Sequence, residues 1–203
     1  MTIPLKRTLL LLAATCVTAL AAAEAAGAQD LHPSRRPSPI GIAKTHIGDT
    51  YIKVTYGRPY MRDRTIFGAA SDTAPPLVPF GELWRTGANE ATEITATGPL
   101  LVAGEPLPAG TYAVFTEPGP TRWTVHFSPQ LGLDGTGMLT PEGFTANVYD
   151  PDRDVLVVEV PSASVDEDVD QFTIEFEPGP DGADMVMRWE RTEVRVPVAV
   201  SGS

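Results

Sequence analysis

Along most of the chain apolar residues recur at every second position, in short runs cut by Gly, Pro, Asn and Asp. That period places successive side chains on opposite faces of an extended backbone. In Thr50–Tyr56, Ile52, Val54 and Tyr56 share one face while Tyr51, Lys53 and Thr55 share the other. Ile40–Ile47 precedes this run across Gly48-Asp49, a pairing that predicts a hairpin. Further strands are predicted at Ala91–Thr97, Leu100–Ala103, Gly110–Glu117, Arg122–Ser128, Asp154–Val160, Gln171–Glu177, Ala183–Glu190 and Thr192–Val200. Phe172, Ile174 and Phe176 form one apolar stripe, and Met185, Met187 and Trp189 form another. Both are assigned to the core. Beyond the N-terminal segment no window carries a helical period. About ten short strands with turns between them predict an all-β fold, an antiparallel β-sandwich of jelly-roll type with one long irregular loop region.

Two segments break the alternation. Gly57–Gly87 is long and irregular, and Pro129–Tyr149 is Gly-rich and nearly uncharged, as a flap or an insertion would be. Loops of this length in a compact domain tend to carry function. The acidic run Asp166-Glu167-Asp168, with Asp170, reads as a solvated loop between two strands.

The N-terminus reads as an address. Lys6 and Arg7 are followed by an uncharged run, Thr8–Ala23, and by the small residues Ala26-Gly27-Ala28. This is the order of a cleaved secretory signal, which divides the chain into a signal peptide at 1–28, a flexible Pro/Ser/Arg-rich linker at 29–38 and a single domain at 39–200. The protein is therefore expected in the periplasm or outside the cell, with no membrane span left after the signal is removed. The alternative is a lipoprotein acylated at Cys16; against it, Thr15 stands where a small residue belongs, and the apolar run continues past the cysteine. Cys16 is the chain's single cysteine, which excludes an intramolecular disulfide and a Cys-based zinc site.

Charge narrows the partners. Lys plus Arg number 15 against 26 Asp plus Glu, a net charge of −11 over 203 residues. Loss of Lys6, Arg7 and Glu24 with the signal makes the balance one unit more negative. A nucleic-acid partner needs a basic face that such a chain does not offer, and an anionic membrane would repel it.

Against this background Arg58, Arg62, Arg64 and Arg85 fall close together, in and just after the long irregular segment, with Trp84, Asn89 and Glu90 beside them. A guanidinium offers a planar fork of donors to carboxylate or phosphate and keeps its charge when partly buried. Arg58, Arg64 and Arg85 would hold an anion, while Trp84, Asn89 and Glu90 would shape the site. The competing reading makes the same residues a lock that ties a long loop to the sheet. Glu90 is also the one catalytic candidate, as an acid or base; a glycosidase-like pair would have to be Glu82 with Glu90.

Familiar chemistries are otherwise missing. There is no G-x-S-x-G elbow, no H-E-x-x-H and no phosphate-cradling Gly-rich loop. His32, His46 and His126 are scattered, and no metal or cofactor is assigned. Asp150-Pro-Asp152-Arg-Asp154 has the spacing of a calcium loop, but Val155 replaces the required Gly and Pro161 the closing Glu, so an acidic surface turn is expected.

Several motifs occur in a characteristic order: Tyr56-Gly-Arg-Pro59, Arg64-Thr-Ile-Phe-Gly68, Leu77-Val-Pro-Phe-Gly81, the run from Leu83 to Thr92 (LWRTGANEAT), and Leu107-Pro-Ala-Gly-Thr-Tyr112. Trp123-Thr-Val, Tyr149-Asp, Asp154-Val-Leu, Phe172-Thr-Ile and Trp189-Glu follow. From about Ser38 to Val198 the chain resembles domain-of-unknown-function family 2911, a group of exported bacterial proteins. The resemblance implies a β-sandwich and an extracytoplasmic place, and no reaction. The chain departs from the family at Asp63, where Gly is usual, in the inserted stretch Ala69–Pro76, and across Gln130–Phe144.

Three functions fit the residues. The first is a non-enzymatic module binding a small anionic, hydroxylated or carbohydrate-like ligand, or a cell-envelope protein. The second is a hydrolase using Glu90 with the arginines, and the third a purely structural or assembly module.

Overall fold

The computed structural model describes residues 36–140 and 143–200. Contacts gather Pro37–Ser203 into one compact unit. The other unit, Met1–Arg36, lies outside the described residues except for Arg36. The signal-peptide expectation and most of the linker expectation therefore fall outside them.

Among the described residues the fold is all β apart from a 3₁₀ turn at Pro151–Arg153. The strands are β1 (Ile40–Ile47), β2 (Thr50–Gly57), β3 (Phe67–Gly68), β4 (Val78–Pro79), β5 (Thr92–Ala96), β6 (Leu100–Val102), β7 (Glu105–Leu107), β8 (Gly110–Pro118), β9 (Arg122–Ser128), β10 (Met138–Thr140), β11 (Gly143–Thr145), β12 (Leu156–Gly179) and β13 (Gly182–Val200). Nine of them form one antiparallel sheet in the order β1-β2-β5-β8-β9-β12-β13-β6-β7. β3 and β4 make a short parallel pair, and β10 and β11 a small hairpin. The β1–β2 hairpin turns through Gly48 at φ 55°, and the inward face of β2 is Ile52, Val54 and Tyr56 as the alternation predicts.

Instead of two separately hydrogen-bonded sheets, the long β12 carries one sheet from its first half to its second. Leu156–Pro161 pairs with β9, and the strand from Ser162 onward pairs with β13. The predicted strands at Asp154–Val160 and Gln171–Glu177 are thus parts of a single 24-residue strand, and the last two predicted strands are parts of the 19-residue β13. The acidic run expected in a loop lies inside β12, where the register shifts between Ser164 and Val169 and again between Val169 and Thr173. Such irregularities re-aim side chains while the backbone goes on pairing, so period-2 reading sees two strands where the chain makes one.

The inward faces of the two halves share one core. Tyr56 of β2 meets Phe172 of β12 edge-on at 5.7 Å, Phe67 meets Trp123 at 5.0 Å, and Trp84 stacks on Trp189 at 5.7 Å. Met185, Met187 and Trp189 are each 1% exposed; Phe172 and Ile174 are buried, and Phe176 packs at the margin. On the opposite face of β8, Ala113 and Phe115 form a second, smaller core with Ala91 and Leu133, against which Val148 and Tyr149 pack. The Pro129–Tyr149 segment therefore covers part of the sheet's outer face.

Candidate functional site

Two of the sequence motifs meet backbone to backbone. A Cβ on Gly57 would fall on the Ala88 carbonyl oxygen, and one on Gly87 would stand 2.9 Å from the Gly57 carbonyl oxygen. Only glycine permits this approach, and it seats the Trp84–Asn89 loop against the end of β2. Buried threonines then satisfy the loop from within. Thr86 Oγ1 donates to Thr116 Oγ1 at 3.1 Å, and Thr92 Oγ1 donates to the Thr86 carbonyl at 2.6 Å. Trp84 exchanges two backbone hydrogen bonds with Thr116, both 2.8 Å, and its Nε1 donates to the Gly87 carbonyl at 3.0 Å.

Beside this contact lies a cavity of about 230 Å³, lined by Arg62, Arg64 and Arg85. Its apolar wall comes from Pro59, Tyr60, Leu77, Val78, Trp84 and Trp189, with Ser38, Gly87 and Ala88 completing it. Among the described residues no Asp or Glu lines it. Arg64 is held from its own turn, with Nε donating to the Met61 carbonyl at 2.9 Å and one terminal nitrogen to the Tyr60 carbonyl at 2.8 Å. Arg62 reaches the Pro37 carbonyl at 3.4 Å. The Arg85 Nε is buried and has no hydrogen-bond partner. Burial pulls the Arg85 pKa below its ordinary value, and the nearby Asp134 carboxylate works against that shift. None of the ion pairs among the described residues uses these three arginines.

Backbone strain gathers at the same place. Five non-glycine residues with positive φ either line the cavity or sit next to a residue that does: Arg62 (50°), Asp63 (56°), Thr86 (54°), Asn89 (64°) and Glu190 (54°). Two more, Ala103 and Asn147, lie elsewhere. Each such residue costs on the order of 1–3 kcal/mol, and such residues concentrate at ligand sites. The Glu190 carboxylate accepts weakly from the backbone N–H groups of Ile66 and Phe67, at 3.5 and 3.4 Å, and so steadies the start of β3.

Of the remaining candidates, Arg58, Asn89 and Glu90 do not line the cavity. Arg58 points to β12, where its Nε donates to the Phe172 carbonyl at 3.3 Å and a terminal nitrogen to Thr173 Oγ1 at 3.0 Å. Asn89 uses its side-chain amide on the Ser38 carbonyl at 3.1 Å and its own carbonyl on Gly135 N–H at 3.3 Å. Both act as ties in this geometry. Glu90 lines a different cavity, of about 210 Å³, together with Glu93, Ile40 and Gly132. Trp84 belongs to both readings, since it is 7% exposed in the core and still lines the arginine cavity.

A family model for a protein of unknown function, DUF2911, matches residues 38–198. The chain belongs to the DUF2911 family. No curated protein and no solved structure matches it. In this DUF2911 chain the Arg64–Gly68, Leu77–Gly81 and Leu83–Thr92 motifs all reach the arginine cavity.

A second polar cluster went unread in the sequence. His126 Nδ1 donates to Asp154 Oδ2 at 2.9 Å, and the Tyr149 hydroxyl donates to the same oxygen at 2.6 Å. The Asp154 side chain is 2% exposed, and its Oδ1 and the His126 Nε2 are both buried without a hydrogen-bond partner. Burial and the Asp154 carboxylate push the Tyr149 pKa well above the ordinary phenol range. Alternation places His126 opposite Phe115 on the outward face, but only the return of the 129–149 segment over that face buries it. No sequence signal announces that return. Among the described residues no group of three or more His, Cys, Asp or Glu side chains is placed to hold a metal ion.

Proposed function

We propose that this protein is a non-enzymatic binding module of the extracytoplasmic space that takes a small anionic ligand in the arginine cavity. The observation that carries this reading is the lining itself. Three arginines and, among the described residues, no carboxylate line one cavity in a chain of net charge −11. Left unoccupied, like charges around a small concavity repel one another. An anion relieves that repulsion. The strained backbone around the cavity supports the same reading, since strain is retained where the surrounding structure holds a binding geometry in place.

Export is supported by the Lys6–Ala28 pattern. Among the described residues no helix is long and apolar enough to cross a membrane. The hydrolase reading joins Glu90 to the arginines; because these residues line separate cavities, binding is the better-supported function. The test is calorimetric titration of the protein with inorganic phosphate, sulfate and citrate, beside the Arg62→Gln/Arg64→Gln double variant, whose changes lie on exposed residues. Saturable binding that weakens about ten-fold or more in the variant is expected. No saturable binding of any of the three anions overturns the reading.

A further inference from the structure

The cavity's other wall says what kind of anion it suits. Trp84 spends its indole N–H on the Gly87 carbonyl at 3.0 Å, and Trp189 spends its own on the Asp170 carbonyl at 3.2 Å. What the two buried tryptophans, 7% and 1% exposed, present to the cavity is a narrow apolar edge. Leu77 and Tyr60 also line it, and they are among the large hydrophobic residues that stay exposed, at 43% and 38%. On a protein this acidic, an exposed leucine and tyrosine beside two exposed arginines make an amphipathic mouth. The cavity, about 230 Å³, falls below the roughly 300–1,000 Å³ of pockets that take drug-sized ligands.

We propose that the ligand of this site is a small amphipathic anion, a phosphate or carboxylate carried on a single ring, whose head lies among Arg62, Arg64 and Arg85 and whose body covers Leu77 and Tyr60. This rests on the anion-binding reading above and narrows it. A bare inorganic anion satisfies the guanidinium groups and leaves the apolar wall wet, while a neutral ring leaves the arginines unsatisfied. Rings also suit such a wall because a flat apolar face packs on the exposed Leu77 and Tyr60 side chains.

The experiment compares four probes on the full-length protein by calorimetry: phenyl phosphate, inorganic phosphate, benzoate and phenol. Phenyl phosphate is expected to bind about ten-fold or more tighter than inorganic phosphate, since a buried apolar group of this size contributes at least that factor. Benzoate should bind saturably and phenol should not. Leu77→Asn, at a 43%-exposed position, should reduce the phenyl-to-inorganic ratio to below about three-fold while leaving the thermal midpoint within a few degrees of the parent's. Equal affinities for phenyl and inorganic phosphate overturn the amphipathic assignment and leave the anion site standing. An unchanged ratio in Leu77→Asn also overturns it, because the ring then lies elsewhere. Phenol binding as tightly as phenyl phosphate overturns the role of the arginines. Absence of binding by every anion overturns both readings together.

Discussion

Tyr56 and Ile174 exchange two hydrogen bonds across 118 residues of sequence: the phenol donates to the Ile174 carbonyl at 3.0 Å and accepts from the Ile174 N–H at 2.8 Å. The hydroxyl thereby acts as one rung of a sheet ladder, joining β2 in the first half of the sheet to β12 in the second. Burial raises the Tyr56 pKa, with the bond to Ile174 working the other way, so the phenol stays neutral at all ordinary pH. Tyr56→Phe removes both bonds and strands two buried backbone groups. It should cost about 2–4 kcal/mol in denaturant unfolding. A loss below about 0.5 kcal/mol would mean that the core alone holds the halves together.

Gly57 should be among the least replaceable residues. Its missing Cβ is the space occupied by the Ala88 carbonyl oxygen, so Gly57→Ala must push the Trp84–Asn89 loop away from β2. A destabilisation of roughly 3 kcal/mol or more is expected from overpacking against backbone. The same change should loosen the arginine cavity, because Gly87 and Ala88 line it. Thermal unfolding of the variant checks the first effect, and anion titration checks the second.

Much of this was legible in the residues. The hairpin at Gly48-Asp49, the inward stripe of β2, and the core stripes at Phe172–Phe176 and Met185–Trp189 follow from period-2 alternation, because those strands are regular. The unity of β12 was not legible, since its irregular pairing around Val169 interrupts the period while the backbone pairing continues. At Glu190, where φ is 54°, the alternation changes phase and marks the end of one predicted strand, although β13 runs on without a break. The arginine cluster stood out by charge alone, yet sequence distance could not divide it: Arg58 turns to Thr173 while Arg62, Arg64 and Arg85 line a cavity. The His126–Asp154–Tyr149 cluster depends entirely on tertiary return of a segment without periodic signal.

Removing the Tyr149 hydroxyl should release that segment. Tyr149→Phe leaves the buried Asp154 Oδ2 with His126 as its side-chain donor. A hydrogen bond to a buried carboxylate contributes about 1.5–3 kcal/mol. Hydrogen exchange should report it locally, as faster exchange of the Ala91 amide, which donates to the Leu133 carbonyl at 2.8 Å. The core amides of β13 should be unaffected, and equal acceleration there would contradict a local role.

Acid should weaken the fold through the outer face of the β12–β13 ribbon. There Arg188 bonds Glu175, Glu177 and Glu193, while Arg195 bonds Glu177, Glu193 and Asp184. The bonds from Arg188 and Arg195 hold the Glu177 carboxyl below its ordinary 4.5. At Glu193 burial pushes upward, but the bonds from Arg195 and Arg188 outweigh it and the pKa is also lowered. A carboxylate with a depressed folded pKa contributes stability that is complete above its unfolded value and disappears as pH falls through the folded one. Stability should therefore decline as pH drops below the ordinary carboxylate value of 4.5, and the decline should be shallower in Arg195→Met. The contribution is modest because these groups are largely solvated. Thermal midpoints measured across the acid range for both proteins check the sign.

The most direct test of the arginine cavity is nitrogen-15 NMR of the arginine Nε–H groups during titration with phenyl phosphate. The Arg62, Arg64 and Arg85 signals should shift together along one saturation curve, since all three residues line the cavity. Arg188 and Arg195, already bonded to carboxylates, should stay still. If all the arginine signals drift alike with added salt, or the three cavity arginines do not move while others do, the cavity is not an anion site.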